Sequence, residues 1–208
     1  MNKKGIITVI SGFSGAGKGT IVRELVEKYD YAISISATTR VPRDGEQDGV
    51  HYFFRTREEF EQMIRNDQLM EYAQYVDNYY GTPKDYVMRQ LDKGIDVILE
   101  IEMQGALQVK ERFPEVTLVF VTPPSAEELR RRLTTRGTET PEVIEKRLAR
   151  AKEECAFMEK YDYIVVNDKL DECVEQIHQL IQSVHLAEEH QRELIGSICH
   201  DFENTGVM

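Results

Sequence analysis

Residues 12–20 read Gly-Phe-Ser-Gly-Ala-Gly-Lys-Gly-Thr, with the apolar run Ile6, Ile7, Val9, Ile10 directly before them and the helix-like stretch Ile21 to Glu27 directly after. The glycines let the backbone curl until several N–H groups point inward, and a helix starting behind them adds its positive N-terminal end. Lys18 supplies a mobile cation for β- and γ-phosphates. In this order strand, turn and helix make a phosphate cradle in which Gly12, Phe13, Ser14, Gly15, Ala16, Gly17, Lys18, Gly19 and Thr20 surround a nucleoside triphosphate. One position departs from the usual form. Gly19 follows Lys18, so the hydroxyl that would touch Mg²⁺ is displaced to Thr20.

Strand-like runs recur at Ile6 to Ile10, Val97 to Ile101, Leu118 to Val121 and Tyr163 to Val166, with helix-like segments between them. Continuous apolar runs alternating with helices predict an α/β fold of the phosphate-loop NTPase type, three layers with a mostly parallel central sheet covered on both faces. Ser125 followed by Glu128 predicts a capping box opening the helix of Leu129 and Leu133. Val174, Ile177, Ile181 and Val184 fall at helical spacing, and beyond about His190 the pattern weakens toward a frayed or oligomer-making tail. Two stretches break the alternation: Ser34 to Tyr86, rich in Tyr, Arg, Gly and acid, and the arginine-dense Arg130 to Arg150. Insertions of this kind on a nucleotide fold bind substrate or act as lids.

At 208 residues and 41% hydrophobic composition the chain suits one domain with its own core. A net charge of −11 argues against a nucleic-acid surface, so any substrate phosphates must be met by local arginine clusters. Cys155, Cys173 and Cys199 form no Cys-x-x-Cys pair, which points to neither a disulfide framework nor a zinc site. No apolar run approaches transmembrane length or a signal h-region, and the expected location is cytoplasmic, with no membrane partner.

Within Ser36-Ala37-Thr38-Thr39-Arg40-Val41-Pro42-Arg43, Tyr52 and Asn78-Tyr79-Tyr80-Gly81-Thr82-Pro83, the arginines Arg40 and Arg43 and the phenols of Tyr52 and Tyr80 can surround a phosphate monoester. Guanidinium forks match phosphate oxygens bidentately, and tyrosine hydroxyls donate without adding charge. Read on spacing alone, the same arginines also suit a solvated surface. Glu71 and Glu102 bear on base choice. Guanine presents N1–H and N2–H donors beside the O6 acceptor, so two carboxylates can accept from the donors while Ser36 and Thr82 donate to O6; adenine would leave the carboxylates unpaired. Glu100 ends a predicted strand, where open α/β sheets place ligands, and either holds Mg²⁺-bound water or neutralises Lys18. Arg132, Arg136 and Arg147 suit the charge that develops on a migrating phosphoryl group, Arg136 at a helix end before Gly137 and Arg147 on the next helix.

Taken together, Gly-Phe-Ser-Gly-Ala-Gly-Lys-Gly-Thr, Ser-Ala-Thr-Thr-Arg-Val-Pro-Arg, Asn-Tyr-Tyr-Gly-Thr, Glu-Ile-Glu-Met-Gln-Gly and Arg-Gly-Thr-Glu-Thr resemble guanylate kinase in order and spacing from about Gly5 to about Val184. The resemblance implies a core (1–33, 87–125, 156–190), a GMP-binding region (34–86), a lid (126–155) and a tail (191–208). It also implies the reaction of ATP with GMP, giving ADP and GDP with Mg²⁺, and activity on dGMP. Carried over by position, Ser36, Arg40, Arg43, Tyr52, Glu71, Tyr80, Thr82 and Glu102 contact GMP. Lys18, Arg136 and Arg147 act on the transferred phosphate, Arg132 joins the ATP site, and Asn167 and Asp168 lie on the adenine side. The family usually carries Asp where Glu100 and Glu102 stand, and Ser where Gly19 stands. A guanylate-kinase-like module that recognises phosphorylated peptides without catalysis is the alternative; such modules usually lack an intact phosphate loop and lid arginines, and this chain has both.

Overall fold

The computed structural model describes residues 4–75, 77–135 and 140–205; Arg136 lies outside them. In chain order the elements are β1 (Ile7–Gly12), α1 (Lys18–Lys28), β2 (Ala32–Ile33), β3 (Ala37–Thr38), β4 (Phe53–Phe54), α2 (Arg57–Arg65), β5 (Leu69–Tyr75), β6 (Asn78–Pro83), α3 (Lys84–Asp92), β7 (Val97–Glu100), α4 (Met103–Arg112), β8 (Thr117–Thr122), α5 (Ala126–Thr135), α6 (Pro141–Cys155), β9 (Tyr163–Val166), α7 (Leu170–Val184) and α8 (Arg192–Asn204).

Five strands form a parallel sheet in the order β2-β7-β1-β8-β9. Val9 sits between Leu99 and Leu118 in register, and all three are fully buried. These near-continuous apolar strands are what a sheet with helices on both faces requires. All four expected strands are present, and β2, two residues long, joins them at one edge. The opposite edge departs from the expected double cover: Tyr163, Ile164 and Val166 of β9 are exposed and Val165 is buried. As an edge strand β9 has β8 as its one neighbour, and helical cover is incomplete there.

A second, four-stranded sheet runs β4-β3-β6-β5, with β3 and β4 parallel and β5–β6 an antiparallel pair whose register shifts between Leu69 and Tyr72. α2 covers it. Thr56 and Glu59 close a full capping box at the start of α2, Glu59 N to Thr56 Oγ1 at 3.1 Å and Thr56 N to Glu59 Oε2 at 2.8 Å. The helix then buries Phe60 against Tyr79, Ala37 and Leu69 in a cluster separate from the main core. Full burial of one such ring is worth ~1.5–3 kcal/mol.

Two local expectations come out differently. At Ser125 half of the box forms, Glu128 N donating to Ser125 Oγ at 3.1 Å, while the Glu128 carboxylate is held by Arg131 and Arg132. The residues after His190 form α8, which buries none of its side chains and exposes Leu194, Ile195, Ile198 and Phe202.

Candidate active site

The loop from β1 to α1 is shaped by a left-handed residue. Gly17, at φ +94°, is the N-cap of α1, and a Cβ there would stand 2.6 Å from Asn167 Nδ2. Asn167 is buried and donates from that amide to Ala16 O at 2.8 Å, so its side chain braces the loop from behind. Arg132 Nη2 donates to Asn167 O at 2.8 Å, and its Nε to Glu128 at 2.7 Å, extending the brace to α5. Phe13 packs edge-on against Phe120 of β8, the ring centroids 4.9 Å apart. The first turn of α1 contains no acid, so its positive end is left for an anion. Asp168 is exposed beside this brace.

Lys18 Nζ donates to Gly12 O at 2.8 Å and to Phe13 O at 3.1 Å. Burial lowers its pKa, opposed first by the charge of Glu100. Glu100, at the end of β7, is itself raised by desolvation and drawn down by Lys18. Its carboxylate oxygens lie 3.6 and 3.7 Å from where a Cβ on Gly19 would be. Arg147 of α6 donates to Ser14 Oγ at 3.0 Å, which brings the second helix of the arginine-dense stretch onto the loop.

A cavity of about 260 Å³ is lined by Ser36, Tyr52, Glu71, Tyr80, Glu100, Glu102 and Gly105, among others. Five of the eight residues expected at GMP therefore share one wall system with Glu100. Glu71 is almost fully buried, and burial pushes its carboxyl up to about 6 against the pull of Thr82. Thr82 is wholly buried and donates to Glu71 Oε1 at 2.7 Å. Its hydroxyl, expected from the sequence at a base oxygen, donates to Glu71 in this structure. Gly105 makes room for this carboxylate: a Cβ there would lie 2.6 Å from Glu71 Oε2.

Arg40 is organised by a partner that the local pattern did not reveal. Its Nη2 donates to Glu46 Oε1 at 2.9 Å and its Nη1 to Val41 O at 2.9 Å, with the guanidinium 5.4 Å from the Tyr52 ring centre. Arg40 beside it holds the Glu46 carboxyl down at about 2. Arg43 is exposed, and its backbone N donates to Glu46 Oε2 at 2.7 Å, so one acid sets the turn bearing both arginines. The rings of Tyr52 and Tyr80 meet at 6.2 Å.

The arrangement is a phosphate loop beside Glu100, which also lines a cavity holding a buried carboxylate. A family model described as guanylate kinase matches residues 4–184. Guanylate kinase of Streptococcus agalactiae serotype III is 55% identical over 189 residues, covering 89% of this chain and 90% of that protein. That of Oceanobacillus iheyensis is 51% identical over 202 residues, covering 97% and 98%. The crystal structure of guanylate kinase from Anaplasma phagocytophilum superposes with a TM-score of 0.73 at 34% identity, covering 94% of this chain and 96% of that one. On this fold, this site and these matches, the chain belongs to the guanylate kinase family, enzymes that phosphorylate GMP with ATP.

Proposed function

We propose that the chain divides this reaction between the Gly12 to Thr20 loop, which holds ATP, and the cavity at Glu71, which holds GMP, with 34–86 as the acceptor-binding region and 126–155 as a lid on the remaining core. The observation that carries the reading is the buried Glu71 carboxylate, fixed by Thr82 and admitted by Gly105, on a cavity that also reaches Glu100 next to the loop. An ionised carboxylate there accepts from guanine N1–H and N2–H, and adenine has no matching donors at that edge. Arg40, Arg43, Tyr52 and Tyr80 take the GMP phosphate, and Ser36 and Glu102 complete the base site.

Thr20 and Glu100 present oxygen donors, the ligand type that Mg²⁺ takes alongside water and substrate phosphates. The fit rests on the Glu100 carboxylate standing beside Gly19, where the usual loop hydroxyl is missing. When bound, Mg²⁺ draws charge off the β- and γ-phosphates. Lys18 and the α1 terminus hold those phosphates in line with the acceptor, and Arg147 with Arg136 offsets the charge on the migrating group while the closed lid excludes water. Arg132 and Asn167 support this from behind the loop, and Asp168 stands at its adenine side. The setting is cytoplasmic; among the described residues no helix is long and apolar enough to cross a membrane.

Coupled ADP release with GMP, dGMP, AMP, CMP and UMP offered separately tests the assignment. GMP is expected to react fastest and dGMP to be accepted; faster turnover of AMP than GMP would overturn the base reading.

A further inference from the structure

Glu102 is 71% exposed, yet it is held. Arg150 Nη2 donates to Glu102 Oε2 at 2.5 Å, and Arg150 Nε donates to Glu154 Oε1 at 3.0 Å. Glu154 is 11% exposed and lies one turn further along α6. The order of burial gives the order of control. A buried acid fixes Nε of a planar guanidinium, and because the group is rigid Nη2 then points in one direction. Glu102 accepts from Nη2 with one oxygen and retains Oε1 for another donor. It also has one more rotatable bond than an aspartate, so an outside restraint matters more here.

We propose that Arg150 is a positioning residue for acceptor choice, holding Glu102 in the orientation that accepts the exocyclic amine of guanine. The inference rests on the placement of Glu102 at the base given above. Arg150 stands three residues after Arg147, so the two share a side of α6. Arg147 reaches Ser14 of the phosphate loop and Arg150 reaches the base cavity. One helix therefore touches both half-sites, and the orientation of Glu102 is tied to the seating of the lid.

The test compares GMP with IMP, which presents the same ring edge without the exocyclic amine. Arg150→Met is expected to raise KM for GMP roughly two- to fivefold, the range of an exposed ion pair, and to leave KM for IMP and for ATP unchanged. The preference for GMP over IMP narrows by the same factor. In a double-mutant cycle, Arg150→Met added to Glu102→Gln has no further effect on that preference. Arg150→Gln, which keeps a donor, falls between Met and the natural residue. A lower KM for GMP in Arg150→Met, or an equal rise for GMP and IMP, overturns the positioning role. If Glu102→Gln leaves the GMP preference intact, the base assignment of Glu102 is what fails. If Glu102→Gln narrows the preference while Arg150→Met does not, the role of Arg150 alone is refuted.

Discussion

Replacing Glu71 by Gln should stabilise the fold and damage the enzyme. A carboxyl raised from 4.5 to about 6 is one whose ionised form the folded protein disfavours by about 2 kcal/mol. The sign fixes the pH window. Below pH 4.5 the group is protonated in folded and unfolded chains alike and the penalty is absent; it grows as pH rises and is complete above about 6. Gln avoids the penalty, and its carbonyl can still accept from Thr82. At pH 7.5 the variant is expected to melt ~4–8 °C higher, given ~2–4 °C per kcal/mol for a domain of this size, and near pH 4 to melt with the natural protein. Against guanine, however, the new amide sets a donor against a donor. Loss of one charge-assisted hydrogen bond, ~1.5–3 kcal/mol, lowers kcat/KM for GMP roughly 10- to 100-fold. The natural enzyme should lose kcat/KM for GMP as pH falls below about 6, because a protonated Glu71 no longer offers two acceptors. Calorimetry at the two pH values with steady-state kinetics at pH 7.5 checks both halves. A melting difference that does not change with pH, or unchanged kcat/KM for GMP, would refute the reasoning.

Lys18→Ala is expected to remove most turnover while GMP still binds by calorimetric titration, since Lys18 bonds the donor loop; near-normal turnover contradicts its role. Gly105→Ala places a methyl 2.6 Å from Glu71 Oε2 and must push that carboxylate aside. It should raise KM for GMP by about tenfold or more, the scale of a sub-ångström to ångström misplacement, with KM for ATP unchanged. Equal effects on the two substrates would mean that the damage lies outside the base site.

The parallel sheet was legible because a strand buried on both faces must be largely apolar, and β1, β7 and β8 are, with Thr8, Ser11 and Thr117 as buried polar exceptions. The loop was legible because its chemistry is local, a lysine and glycines between a strand and a helix. The strands β2, β3 and β4, at two residues each, are too short for any period to register. The role of Arg150 stayed hidden for another reason. The Arg150–Glu102 contact joins positions 48 apart in sequence, and no spacing rule links them. Glu128 shows the converse: the local signal for a capping box was real, and two arginines on the same helix took the carboxylate.

The small cluster around Phe60 has its own interior, and β5 stitches it to the rest. Leu69 belongs to that cluster and its neighbour Met70 to the main core, as alternation along a strand dictates. Cooperative units with separate interiors open at separate free energies. The four-stranded sheet can therefore loosen by sub-global opening while the phosphate loop keeps its shape. Glu71 is the residue immediately after the stitch, so the base recognition proposed for it would sit at the seam between the two clusters.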